Sequence, residues 1–289
     1  MSFAIFTDGC SNLPGRLLNK LDIRVMPCSY SMDGEPVSYS GDIEHFNAKA
    51  HYDMLREGKT IQTSLINTQT FLDFFRPVLE EGLDVLYVGM SAGISGTYQA
   101  ASIAAEELEE EFPDRKVRTV DSMGAGLGTG LLACRASDLR NENLSLEKTA
   151  DRLNTEKMHL CEFFTVDSLQ YLHRSGRISS AAAAVGTVLN IKPMLRGDEE
   201  GHIVPCGKYR GRKKAIEAIA DKYAKLAVDP EKTRVAITHG DCPDEAAQLA
   251  MKIRSIADPG ELIVCPHEPF TGSHVGPGML ALFFFGEHR

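Results

Sequence analysis

The residues best suited to chemistry in this sequence fall in two short turns. In "LDVLYVGMSAGISGTYQA" an apolar run from Val85 to Gly89 gives way to glycines and small hydroxyl residues, among them Ser95, Gly96 and Thr97. An alanine-rich helical pattern starts at about Tyr98. A strand feeding such a turn into a helix leaves backbone N–H groups at the positive end of the helix, ready for an anion. In "GKTIQTSLINTQTF", Thr63 and Ser64 stand just before a second helical pattern. Each hydroxyl taken alone reads as a helix N-cap. Two such turns in one domain suit convergence on one small anion.

Other groups carry chemistry with less support from their neighbours. His274 lies among glycines and a proline in "GSHVGPGML", where it is either structural or approached closely by a ligand. Arg210, in "GKYRGRKKA", falls at a strand end before a helix and can turn inward, whereas Arg212, Lys213 and Lys214 read as a solvated face. Asp8 closes the first strand, "FAIFTD", and Asp121 closes a later one, "KVRTVDS". Each can serve a metal or a phosphoryl group, or cap its own turn. The glycines of "VDSMGAGLGTG" lack the first-strand context and the ribose-binding acid of a dinucleotide site, and there is no G-x-x-x-x-G-K-[ST].

Strand-like and helix-like segments alternate along the chain, which predicts α/β architecture with mainly parallel sheets. "IRVMPCSYSM" reads as one strand, the region from Ile43 to Leu55 as a helix, and "TSLI" as a loop entering the next helix. "EEGHIVPCGKY" reads as a strand pair and "MLALFFF" as a buried strand. A boundary near Met158 gives two α/β domains, 1–158 with a mainly parallel sheet and 159–289. The small residues of "SSAAAAVGTVLNIKPML" either pack tightly or leave room for a slender apolar ligand.

Bulk composition narrows the class. The chain has 289 residues, 43% of them hydrophobic and 25% charged, as in an ordinary globular protein. A net charge of −9 argues against a nucleic-acid or anionic-membrane partner. No apolar run approaches the roughly 20 residues of a membrane span, and the N-terminus enters a strand without a signal-peptide pattern. The 7 cysteines are widely spaced with no C-x-x-C, which suits reduced thiols in a cytoplasm and no zinc site, with Cys10 in its turn either inert or reactive.

The combination of "TD" and "LP" near the start, "TS" at 63–64, "SAGISGTYQAA", "VDS", "VDSLQYLHRSGRIS", "GTVLNIKPML", "YRGRKKA" and "HVGPG", in this order over essentially the whole chain, resembles the DegV family. The resemblance implies two α/β domains with a long-chain fatty acid between them. It further implies a non-enzymatic carrier that presents the acid to a separate fatty acid kinase, with a place in lipid transport and phospholipid metabolism. No cofactor is then expected on this chain, ATP and magnesium being the partner's. Thr63, Ser64, Ser95, the Gly96 amide and His274 match the positions around the carboxylate, and His274 with Arg210 match groups that matter when the kinase acts. Ala184, Val188 and Ile191 match the lining of the acyl tunnel. Two departures stand out: Leu65, Ile66 and Asn67 replace the usual Q-P-S, and Thr7, Asp8 and Gly9 replace T-D-S. From the residues alone, a stand-alone phosphotransferase or hydrolase using Asp8 and Asp121, or a regulatory protein that senses acyl ligands, stays open.

Overall fold

A computed structural model describes residues 3–39, 41–180 and 190–289. The N-terminal elements are β1 (Phe3–Asp8), α1 (Gly15–Leu21), β2 (Ile23–Met26), β3 (Cys28–Met32), β4 (Glu35–Tyr39), α2 (Ala48–Arg56) and β5 (Ile61–Ser64). Next come α3 (Thr68–Glu80), β6 (Asp84–Gly89), α4 (Thr97–Glu111), β7 (Val117–Asp121), α5 (Leu127–Asn141) and α6 (Leu146–Glu156). The C-terminal half holds β8 (Leu160–Thr165), α7 (Gln170–Arg174), β9 (Ile191–Gly197), β10 (Ile203–Arg210) and α8 (Arg212–Leu226). It ends with β11 (Arg234–His239), α9 (Pro243–Ile256), β12 (Glu261–Pro266), α10 (Pro269–Val275) and β13 (Leu280–Phe285). Ala184 and Val188 lie outside the described residues.

These elements form two compact units, Met1–Glu44 with Ile61–Lys157, and His45–Thr60 with Met158–Arg289. The sequence reading kept the segment His45–Thr60, which holds α2, in its first domain. In the structure that segment packs with the C-terminal half because Tyr52 is fully buried there, its hydroxyl donating to His267 O at 3.0 Å. Arg56 reinforces the attachment by pairing with Asp241 at 2.5 Å.

In the N-terminal unit the strands run in the order β2-β1-β6-β7, all parallel. Every residue of β1 and β6 is buried, as parallel strands covered on both faces must be. Helices α3 and α4 pack together against β6 and β7, and α5 and α6 pack together against β1, β6 and β7. Phe6, Phe71, Phe75 and Tyr87 form an aromatic cluster with centroid separations of 5.0 to 6.2 Å. A separate antiparallel sheet, β4-β3-β5, completes the unit. The predicted single strand "IRVMPCSYSM" is therefore two strands in two sheets. Pro27 divides them, since it cannot donate to a ladder and bends the chain out of the first sheet.

The C-terminal unit is built on a six-stranded sheet, β10-β9-β8-β13-β11-β12. Only β11 and β12 pair in parallel; the other neighbours are antiparallel. The expectation of mainly parallel sheets thus holds for the first unit and fails for the second. The β9–β10 hairpin and the return of β13 between β8 and β11 bring strands together without the helical crossovers a parallel pair requires. "LALFFF" lies mid-sheet, with Phe284 stacked edge-on against Tyr223 of α8 at 5.2 Å. Among the described residues, no helix is long and apolar enough to cross a membrane.

Candidate functional site

Strand order decides where a ligand would sit in the N-terminal unit. The sheet runs outward from β1 in one direction to β2 and in the other to β6 and β7, so the order reverses between β1 and β6. In such sheets the crevice beyond the carboxyl ends of the strands at the reversal is the usual binding position. Asp8 ends β1 there, and the turn from Met90 to Gly96 leaves β6 beside it.

That turn is knit by its own backbone. Ser91 O accepts from Ile94 N and Ser95 N, each at 3.2 Å, and Ser91 Oγ accepts from Gly93 N at 3.0 Å. Helix α4 then starts after Gly96, which as N-cap supplies no side-chain acceptor. The neighbouring hydroxyls take over: Ser95 Oγ accepts from Thr97 N at 3.3 Å and donates to Thr97 Oγ1 at 3.1 Å. Thr97 Oγ1 also accepts from Ile66 N at 3.3 Å. Buried Thr97 therefore ties the Ser95 turn to the segment following Ser64. The sequence reading treated Thr97 as a lone cap and missed this link, whose one sequence signal is a hydroxyl two residues after Ser95.

Thr63 and Ser64 do not stand in a loop, as predicted, but on β5, paired with Tyr30 and Ser29 of β3. Thr63 is half-buried and Ser64 exposed. The cap of α3 is Asn67, whose side chain accepts from Thr70 N at 2.9 Å. This gives the departure from Q-P-S a physical content. Asn67 does the capping that serine would do. Ile66 offers an N–H that a proline lacks, and that N–H is the one held by Thr97.

Asp8 and Asp121 both act on their own turns. Asp8 Oδ1 accepts from Cys10 N at 2.9 Å and Oδ2 from Tyr87 OH at 2.6 Å. Complete burial raises the Asp8 pKa, against the hydrogen bonds from Tyr87 and Cys10 that pull it down. Asp121 accepts from Met123 N at 2.8 Å and Ala92 N at 3.3 Å, bracing the β6 and β7 loops against each other. Met123 takes the left-handed conformation that this arrangement demands.

His274, Arg210 and Ile191 belong to the C-terminal unit. His274 is on the last turn of α10 rather than in a loop. Burial, with the nearby positive charge of Arg177, lowers its pKa to about 4, so the imidazole is neutral at pH 7. The glycines after it serve the backbone. Gly276 has φ +78 and ψ 177, a region open essentially to glycine alone, and an added Cβ would run into the Tyr171 ring. Gly278 N donates to Gly240 O at 2.7 Å, and Gly278 O accepts from Arg212 at 2.6 Å while the same guanidinium holds Glu245 at 2.7 Å. Arg212 is thus a half-buried brace of this loop, not part of the predicted solvated face. Gly276→Ala is expected to cost about 1–3 kcal/mol, measured as a lower urea midpoint at unchanged slope. Arg210, which the sequence allowed to turn inward, is exposed at the end of β10, directly across the ladder from half-buried Ile191.

Beneath α10 lies a buried polar relay. Neutral His267 bridges Thr238 Oγ1 at 2.9 Å through Nδ1 and Thr271 Oγ1 at 2.8 Å through Nε2. Thr271 Oγ1 donates in turn to Glu268, whose carboxylate also accepts from Thr271 N at 2.9 Å and Phe270 N at 2.5 Å. These bonds are mutually consistent when Thr238 donates to Nδ1 and Nε2 carries the proton. Burial, with help from His239, lowers the His267 pKa to about 3, and burial lowers that of His51 to about 4.

A parallel-sheet unit with a hydroxyl-rich turn at its strand reversal, together with a second, mainly antiparallel unit, defines the class of fold. Residues 2–287 match the family model described as "Uncharacterised protein, DegV family". The chain belongs to the DegV family. It is 37% identical over 99% of its length to a DegV domain-containing protein of Clostridium perfringens, 98% of which is covered. It is 34% identical to one from Lactococcus lactis, with 98% of this chain and 97% of that protein covered. Among solved structures it resembles one described as "Fatty Acid Binding of a DegV family Protein from Thermus thermophilus", with TM-score 0.87, 31% identity and coverage of 99% and 100% of the two chains. It also resembles a Bacillus subtilis protein described as "DegV, a fatty acid binding protein", with TM-score 0.83, 27% identity and coverage of 99% and 100%.

Proposed function

We propose that this chain binds a long-chain fatty acid in the cytoplasm and presents its carboxylate to a fatty acid kinase. The observation that carries the reading is the Ser95–Thr97–Ile66 link, which joins the hydroxyl turn at the strand reversal to the strand bearing Thr63 and Ser64. Fatty-acid binding by the related Thermus and Bacillus proteins supports the choice of ligand. The physical logic is a division of labour. Burying about 15 CH₂ and CH₃ groups is worth on the order of 12 kcal/mol gross. A carboxylate taken out of water costs several kcal/mol unless hydrogen-bonded. Thr63, Ser64, Ser95 and the Gly96 amide remove that cost, and a hydrocarbon slot with Ile191 in its lining supplies affinity. Neutral His274 can take up a proton, and Arg210, exposed at the end of β10, supplies a positive charge. Both suit the phosphoryl step that the kinase, with its own ATP and magnesium, performs.

Mass spectrometry of gently desalted protein is expected to reveal a co-purified acyl ligand; no ligand and no binding of added oleate would remove the proposal. Ser95→Ala is expected to weaken oleate binding about 10- to 100-fold, the worth of a hydrogen bond to a charged group. His274→Ala is expected to leave binding near wild type while slowing acyl phosphate formation by the kinase. Wild-type behaviour of both variants would cancel the roles assigned here.

A further inference from the structure

We propose that Cys10 and Cys28 are an oxidation site that closes to a reversible disulfide, with a peroxide as the oxidant. The two sulfur atoms lie 3.3 Å apart in the N-terminal unit, both buried. A disulfide requires about 2.05 Å, so a shift of little more than an ångström forms the bond. The backbone is arranged for this approach. Cys10 sits in the single 3₁₀ turn after β1, and Cys28 opens β3 immediately beyond the Pro27 bend. Gly9 keeps the approach to Cys28 open, since an added Cβ there would lie 3.3 Å from Cys28 Sγ and 3.5 Å from Cys28 N. A larger residue at position 9 would crowd the Cys28 sulfur.

A proton acceptor is at hand. A carboxylate oxygen of Asp8 and the sulfur atoms of Cys10 and Cys28 all lie within 4.8 Å of one another. Asp8 hydrogen-bonds to both the backbone and the thiol of Cys10, and its burial favours taking a proton. Asp8 accepts the Cys10 proton, the thiolate attacks one peroxide oxygen, and the O–O bond breaks to give a sulfenic acid and, with a proton, one water. Cys28 then attacks the sulfenic sulfur, the S–O bond breaks, and the hydroxyl leaves as a second water with the Cys28 proton. Two thiols are oxidised and one peroxide is reduced. Peroxide is nearly as small as water, so local opening of the 3₁₀ turn is sufficient access. Cys28 directly precedes Ser29, the ladder partner of Ser64, so the bridge would tether the start of the strand on which β5 rests. The disulfide itself stands independently of any ligand reading.

The test is peroxide treatment of the native full-length protein at pH 7.5, denaturing alkylation, and peptide mapping. The expected result is a Cys10–Cys28 crosslink with a loss of about 2 Da, reversed by dithiothreitol, while Cys134 stays alkylatable. In Cys28→Ser, a dimedone-reactive sulfenic acid is expected to accumulate on Cys10. Alkylation of both Cys10 and Cys28 after peroxide has oxidised other thiols would overturn the proposal. So would stoichiometric zinc in the purified protein that is released only when these two thiols are modified, because that outcome makes the cluster a metal site.

Discussion

Acidified from pH 7 to pH 4, the protein is expected to lose the greater part of its folding stability, with the C-terminal unit failing first. That unit holds His51, His267 and His274 as neutral imidazoles, with pKa values pushed down to about 4, about 3 and about 4, chiefly by burial. His239 is lowered in the same way. An unfolded chain protonates its histidines near pH 6.5. Between that value and the folded pKa the unfolded state carries more bound protons, so stability falls as the pH falls. Each of the three groups contributes a loss on the order of 3 kcal/mol by pH 4, together comparable with the whole stability of an ordinary domain. Urea titrations at half-unit pH steps give the measurement. His267→Gln keeps one acceptor toward Thr238 and one donor toward Thr271, and is expected to move the acid midpoint downward. A midpoint that does not move would detach His267 from the effect, and a curve flat to pH 4 would detach all four histidines.

Glu268→Ala is expected to destabilise the protein by about 2–4 kcal/mol and to loosen α10 selectively. The carboxylate accepts from Phe270 N, Thr271 N and the Thr271 hydroxyl in a site with no solvent exposure. Alanine leaves all three donors without their acceptor and breaks the relay through His267 to Thr238. Because α10 carries His274, the local readout is faster amide exchange from Phe270 to Val275, together with a rise in the His274 pKa as the ring gains solvent. Glu268→Gln retains one acceptor oxygen and is expected to recover about half of the loss. Exchange rates in α10 equal to those of the wild type would show that the cap does not hold this helix.

The parts of the fold that could be read in advance were those with local causes. β1 and β6 are short apolar runs with no competing pattern, and α4 begins within a residue of the start expected for it at about Tyr98. Parallel pairing in the second sheet was misread because alternation of strand and helix says nothing of which strands become neighbours. β13 enters between β8 and β11 by pairing with residues more than 40 positions away in the chain. Pro27 was visible in the sequence, yet the run of strand formers on either side hid its effect. At the candidate site, Ser95 and the Gly96 turn were legible because a strand, a glycine turn and a helix follow one another directly. The link made by Thr97 was not legible because its partner Ile66 is brought in from the segment after β5. Arg212 was misassigned because nothing local distinguishes a brace for Gly278 from a surface charge beside Lys213 and Lys214.

The return of α2 to the C-terminal half has a consequence for biosynthesis. Tyr52 emerges from the ribosome 215 residues ahead of the carbonyl its hydroxyl will meet. At ordinary translation speeds that is a wait of roughly 10 to 40 s. Throughout that interval an amphipathic helix with an unsatisfied aromatic face is exposed to chaperones and to other nascent chains. Slowing elongation over the last third of the message would prolong that window.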